Sequence, residues 1–469
     1  MRPGDCRVRR RPGLCPAGHS VEGTAISGQP SEQPRVAAVE RDGTHAAIRV
    51  AIFTERSNAA WDRSREKPTA RFAFAVVTPG RKRSSRQMVG PLISPARVYW
   101  TAFIGLFFDY YDLFLFIYLE KVLAAHFGLS PAASGALQFT GLAGGGLGAL
   151  VFGYLADRFG RGRIMLAVFG VYLVGVAGLS LAWSYPSLLF FRLLASLALG
   201  AEWGISHTFL NERVGPERSY RFAALLQFAI LGGLLSALAN RYLLPVCGWR
   251  WLFAASLLPV AVLSAARWRM LSVEPAGERR EPKGGGLGAI VAGNLRPFLL
   301  CLALASLTIA SGLLNVFFVK ELPQSPLYIV LFWGNLAPGM LFGAWVVRRG
   351  GVRRALAGYA VALTGLSLFA WGSGWDGRKL AFALVLPALN GIPFGLMGAY
   401  FNEVFGHYRT MLSGAAYNLG RILAGFSPVL ITALGLHTGG NYFLFCGVLG
   451  LGVLLLTVWL PDRYSPSTS

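Results

Sequence analysis

Charged side chains are scarce in this sequence: only 14% of its 469 residues are Asp, Glu, Lys or Arg. A soluble protein of this length carries about a quarter, so most of this chain cannot present a water-facing surface. Cysteine is equally sparse, with Cys6 and Cys15 near the start and Cys247, Cys301 and Cys446 widely separated. That spacing excludes a disulfide framework and a cysteine-based metal site. His126, His207, His407 and His437 are too dispersed to hold a metal. Neither a Ser/His pair nor a His/Asp/Glu cluster marks a membrane-embedded enzyme, and no large extra domain marks a sensor or scaffold. The first 87 residues lack any apolar run longer than FAFAVV, too short for a secretory signal, and their eight acidic residues fit no transit peptide. Rich in Arg, Pro and Ser, they are expected to be a disordered basic extension, drawn at 1–90.

What the chain has in abundance is apolar length. It is 54% hydrophobic, with runs of about twenty residues that suffice to cross roughly 30 Å of hydrocarbon. Helices are expected at 98–119, 132–155, 163–183, 187–210, 222–244 and 249–267. A second set is expected at 297–319, 326–347, 354–373, 380–401, 411–435 and 441–460. The stretch EPAGERREPKGGGLG (274–288) has linker composition. This divides the chain into bundles at 91–270 and 294–462, a cytoplasmic linker at 271–293 and a short tail at 463–469.

The net charge of +22 does not point to nucleic acid, because the basic residues lie between the apolar runs. With both termini placed inside the cell, nineteen Lys and Arg of residues 88–469 fall at inner ends and loops and six at outer ones, while Arg192 and Arg421 lie inside helices. That bias sets the topology. The expectation is a monomeric multi-pass protein of the plasma membrane (the inner one in a Gram-negative cell), with no cofactor.

The two halves repeat. GYLADRFGRGR (153–163) and GAWVVRRGGVR (343–353) share Gly and Arg positions at an offset of 190. Asn211, Glu212 and Arg218 match Asn402, Glu403 and Arg409 at 191. Six helices per half with a repeat is the layout of a secondary transporter. GYLADRFGRGR resembles the helix 2–3 loop of the major facilitator superfamily, whose pattern is G-x-x-x-D-R-x-G-R-[RK]. Gly162 stands at its last position, with Arg163 one place later. The resemblance covers residues 91–462. It implies an all-α membrane fold of two six-helix bundles, with gating charges at Asp157, Arg158, Arg161, Glu212, Arg218, Glu403 and Arg409. Helix 1, FFDYYDLFLFIYL, is similar to the D-G-x-D segment of carboxylate and aromatic-acid:proton symporters, with Tyr110 replacing the glycine. An Arg within helix 11, in YNLGRILAGFSP, is also similar to those groups.

A charge at the bilayer centre costs roughly 2.5–3.5 kcal/mol on insertion scales, so each one asks for a purpose. Asp109, Asp112, Arg192, Glu202 and Arg421 lie in apolar runs. Asp109 and Asp112 are candidates for proton coupling, since a desolvated carboxylic acid holds its proton more tightly. Arg421 offers a fixed, bidentate fork for a carboxylate. Arg192, Gln227, Asn418 and Asn390 are further substrate candidates, and Gln227 and Asn418 match across the repeat. Arg192 falls near Asp112 in height, so a contact between them is expected; Glu202 lies lower, with hydrogen bonding between helices as its alternative role. The glycine run GLAGGGLGAL (141–150) suits close helix packing rather than phosphate binding. The function expected is proton-coupled transport of a small organic anion; neutral-sugar transport and metabolite or drug efflux fit the same fold.

Met88 stands just ahead of the first apolar run. Expression from Met88 should give a protein that inserts and transports like the full chain; loss of either would show that the extension is needed.

Overall fold

Hydrocarbon offers no partner to a backbone N–H or C=O, so an apolar chain must close its hydrogen bonds within helices. The computed structural model describes residues 36–39, 48–51, 95–271, 287–320, 326–372, 379–406, 408–436 and 441–461. Residues from Gly90 onward form one unit, in which the described residues give twelve long helices in two groups of six, with short helical pieces at Leu244–Cys247 and Leu287–Gly293. The first group is α1 (Pro95–Phe127), α2 (Pro131–Phe159), α3 (Arg161–Ser180), α4 (Tyr185–Val214), α5 and α6. Here α5 runs Pro216–Gln227, tightens through a 3₁₀ turn at Phe228–Leu231 and continues as Gly232–Tyr242. Its successor α6 comprises Trp249–Ala254 and Leu257–Leu271. The second group is α7 (Leu295–Lys320), α8 (Pro326–Gly334 and 336–350), α9 (352–372), α10 (Lys379–Val404), α11 (Arg409–Gly425, then Ser427–Ala433) and α12 (Tyr442–Thr457).

Local chemistry explains the punctuation. Ser130 caps α2 by accepting from the backbone of Ala133, and Pro131 opens the helix where its missing N–H costs nothing. In α11, Pro428 cannot donate to the carbonyl of Ala424, and the Ser427 hydroxyl donates to it instead at 2.7 Å. Among the described residues eight helical stretches are long and apolar enough to cross a membrane; one of them, Ile329–Gly372, is α8 and α9 read together. The turn between those two is a single reversal at Gly351, φ 82°. The extension is a separate unit in which Val36–Val39 pairs antiparallel with Ile48–Ala51. This strand pair is the part of the extension that is described, and the rest of residues 1–87 lies outside the described residues.

Each bundle is held by helices crossing backbone to backbone. A Cβ on Gly148 would collide with the carbonyl of Leu197, and one on Gly200 with that of Gly145, so α2 and α4 touch without side chains between them. In the second bundle Gly339 faces the carbonyl of Ala388 and Gly391 that of Leu336. Every residue in these contacts lies 191 positions after its counterpart. The glycine run at 141–150 therefore does serve close packing. Gly160, with φ 99°, and Gly351 obey the same offset. The sequence alignment of this loop at 190 is therefore corrected to 191: the left-handed turn selects the second glycine of the Gly350–Gly351 pair, and Arg348 rather than Val347 occupies the place of Asp157.

Gly148→Val and Gly339→Val should each lower stability by roughly 1–3 kcal/mol, the usual cost of overpacking. Thermal unfolding in detergent checks this against Gly170→Val and Gly358→Val, where a Cβ meets nothing within 4 Å. Equal melting temperatures for the two pairs would refute the backbone-contact account.

Candidate functional site

Helix α1 turns different faces to its two neighbourhoods. Tyr110 and Phe114 meet the second bundle: the Tyr110 hydroxyl lies 3.2 Å from that of Tyr417 in α11, and Phe114 meets Trp333 of α8 edge-on at 4.6 Å. Asp109 and Asp112 are only 6% and 1% exposed. Asp112 accepts hydrogen bonds from Tyr172 of α3 and, at 3.2 Å, from Ser256 between the two pieces of α6. Asp109 leaves one oxygen buried without a hydrogen bond, and the charges acting on it are Glu202, Asp112 and Arg421. Glu202 accepts from Ser206 one turn along its own helix at 2.6 Å, and its second oxygen is buried without a hydrogen bond.

The expected Asp112–Arg192 ion pair is not formed. Arg192 lies face-on over the Phe116 ring, 3.6 Å from its centroid, in space that Gly141 of α2 leaves open. Its cation thus rests on an aromatic face, while Tyr172 and Ser256 supply the donors to Asp112. Arg267, the last residue of the helix expected at 249–267 and so expected at its inner end, is 2% exposed within α6. It donates to Thr101 of α1 at 3.3 Å and lies 5.0 Å from the Phe169 ring centroid.

Between the bundles, Trp203 of α4 stacks on Tyr417 of α11 at 3.9 Å, nearly parallel. Gln227 joins this pair to α1 and α4. Its carbonyl accepts from Trp203 at 3.3 Å and lies 3.1 Å from His207, and its amide donates to Tyr110 at 2.6 Å. Beside the stack, Arg421 donates to Asn418 at 3.1 Å, with its guanidinium 5.9 Å from the Tyr417 centroid. No carboxylate among the described residues forms an ion pair with it. The Asn418 amide donates to the carbonyls of Gly200 and Gly414, so this residue ties α11 to α4 while orienting Arg421. Asn390 belongs to another network, accepting from Ser311 and Tyr359, with its amide nitrogen unpartnered. Tyr110, His207 and Arg267 were not among the coupling, substrate or gating candidates read from the sequence. Trp203 and His207 share a face at i, i+4, which is the available hint.

At the arginine-rich end, Asp157 of α2 accepts from the backbone N–H groups of Met411 at 2.9 Å and Thr410 at 3.3 Å, at the start of α11. Arg161 pairs with Asp157 at 2.9 Å and with Glu212 at 3.3 Å. Tyr220 of α5 donates to Glu403 of α10 at 2.6 Å, and Thr208 donates to Asn402 at 2.6 Å. Arg409 reaches the carbonyl of Gly406 at 3.4 Å. Arg158 does not pair with Asp157; it is exposed and reaches Tyr154 at 3.4 Å, because Arg161 and the α11 backbone already occupy the carboxylate. Arg218 is exposed and forms no ion pair among the described residues.

A model of the Major Facilitator Superfamily matches residues 102–425. The cis,cis-muconate transport protein of Acinetobacter baylyi is 27% identical over 379 residues, covering 74% of this chain and 91% of that protein. The gallate transporter of Pseudomonas putida is 35% identical over 174 residues, 35% of this chain and 37% of its own. Among solved structures, the proton:xylose symporter XylE matches in fold with a TM-score of 0.62 at 17% identity, over 78% of this chain and 96% of that one.

Asp157→Ala removes a helix cap of the kind whose loss costs about 0.5–2 kcal/mol. Spin labels on the adjoining ends of α2 and α11 should report longer, broader distances in that variant. Asp157→Asn, which keeps an acceptor oxygen, should lie between it and the wild type. An unchanged distance distribution in Asp157→Ala would mean the cap does not hold these helices together.

Proposed function

Since the chain belongs to the Major Facilitator Superfamily and is therefore a multi-pass membrane transporter and not an enzyme, we propose that it carries a small organic acid anion together with protons. The observation that carries this reading is Arg421. Its guanidinium sits at the contact between the two bundles, held by a neutral Asn418 and paired with no carboxylate among the described residues. A cation inside the membrane must face protein, water or an arriving anion, because lipid offers it no partner. A carboxylate docking in its fork would gain two parallel charge-assisted hydrogen bonds. Transport of carboxylates by the muconate and gallate relatives supports the same class.

Asp109 supplies the proton site in this reading. Protonated, it leaves Arg421 and the bound anion as a nearly neutral pair; ionised, it competes with that anion for the same cation. Gln227 and the Trp203–Tyr417 stack would line the substrate's flank, with Arg192 adding positive charge behind them. Alternating access follows if the contacts of Asp157, Tyr220 and Thr208 with the second bundle and those of Tyr110 and Phe114, both formed here, part in turn. The excess of arginine at the Asp157 end supports a plasma-membrane orientation with that end, and both termini, in the cytoplasm.

The test is uptake of labelled mono- and dicarboxylates, including cis,cis-muconate and gallate, by proteoliposomes. Wild type should accumulate at least one of them when the outside is acidified. Arg421→Lys keeps the charge but loses the fork, so carboxylate binding should weaken at least tenfold, about 1.4 kcal/mol, with the protein still folded. Equal binding by Lys and Arg would remove Arg421 from the substrate site, and uptake of neutral sugars alone would overturn the anion reading.

A further inference from the structure

One face of α1 carries a ladder of polar positions. Thr101, Gly105, Asp109 and Asp112 follow at spacings of four, four and three, which places them on one side of the helix over about 16 Å. The first bundle meets this face with charge at every level. From α6, Arg267 donates to Thr101 at 3.3 Å. From α4, a Glu202 oxygen lies 3.0 Å from where a Gly105 Cβ would stand, and Ser206 bonds the same carboxylate. At the far end Asp112 is held by Tyr172 and Ser256, with Arg192 nearby. Arg421 of α11 acts on Asp109 from the second bundle. Two carboxylate oxygens on this line, one of Asp109 and one of Glu202, are buried without any hydrogen bond.

The fold does not need these groups. The repeat places Leu300, Ala303, Pro393 and Val458 at the positions of Asp109, Asp112, Glu202 and Arg267. The second bundle therefore builds the same glycine crossings without a single one of these charges. A buried carboxylate with an empty acceptor is costly as an anion and tolerable once protonated. A line of them, confined to one bundle, is suited to carrying a proton.

We infer that Glu202 is the inner station of a proton path through the interior of the first bundle, from Asp112 and Asp109 to Glu202 and out past Arg267. The path meets the bundle interface at Asp109, beside Arg421, and from there runs within the first bundle. This inference rests on the proton-coupled reading above. In the transfer step, the O–H bond of neutral Asp109 breaks as an O–H bond forms on the Glu202 carboxylate, leaving Asp109 anionic and Glu202 neutral. Glu202 then releases the proton to water at the arginine-rich end, and Arg267 provides fixed positive charge beside the carboxylate left behind. Gly105 keeps the passage open, because a side chain there would press on the Phe169 ring and on Glu202, at 2.9 and 3.0 Å from its Cβ.

The experiment uses the full chain in proteoliposomes containing a pH-sensitive dye, with cis,cis-muconate or gallate as the probe. Glu202→Gln should retain probe counterflow, which needs no net proton movement, while losing both proton entry and uphill accumulation. Gly105→Ala should slow proton entry relative to counterflow. If the wild type moves no protons with its probe, the proton-coupled reading itself fails. If the wild type does so and Glu202→Gln matches it, only the path through Glu202 is overturned. Should Glu202→Gln not fold, labelling of the wild type with a hydrophobic carbodiimide, which attacks protonated buried acids, decides the matter. An adduct on Glu202 that declines as pH rises supports the station; adducts on Asp109 with none on Glu202 reject it.

Discussion

Two carbonyl-to-glycine crossings govern this molecule. Where Gly148 and Gly200 let α2 and α4 touch, and where Gly339 and Gly391 do the same for α8 and α10, no side chain intervenes. Lipid tails are as apolar as leucine, so membrane helices gain little by hiding apolar surface from one another and associate through close contact instead. Each crossing fixes the angle and height of its helix pair and thus where α4 and α10 end. Those ends carry Thr208, Glu212, Asn402 and Glu403, whose contacts tie the arginine-rich end together.

On this twofold frame the chemistry is strongly one-sided. The first bundle buries Asp109, Asp112, Arg192, Glu202, His207 and Arg267. The second has apolar residues or glycine at the counterpart of every one, and its main intramembrane charge is Arg421 at the interface. The repeat sets the scaffold, and the charge differs between its two copies. One bundle buries acids and bases in its interior and the other presents a cation toward the first, so halves of the same shape differ in charge.

Much of this was legible from composition. Twenty-residue apolar runs have few alternatives to spanning helices, and a charge within such a run announces itself, as Asp109, Asp112, Arg192, Glu202 and Arg421 did. Partners were harder to read, because helical spacing states which residues share a face and not which helix that face meets. Height alone suggested Arg192 for Asp112, yet the lateral neighbours Tyr172 and Ser256 took the carboxylate. Arg267 was hidden by its position near the end of an apolar run, where arginines normally reach water. The one-residue error in the repeat came from the doublet Gly350–Gly351, whose members differ only in backbone conformation.

The cap that Asp157 places on α11 addresses the backbone N–H groups of Thr410 and Met411, and the Thr410 hydroxyl adds a contact to Arg161 at 3.4 Å. Every amino acid except proline presents the same N–H. The α11 half of this latch donates through its backbone and so tolerates most single substitutions, whereas the accepting half on α2 depends on one side chain, Asp157. The start of α11 can therefore change most of its side chains without losing these two hydrogen bonds. An asymmetric tie of this kind places its sequence constraint on one helix and leaves the other free to vary.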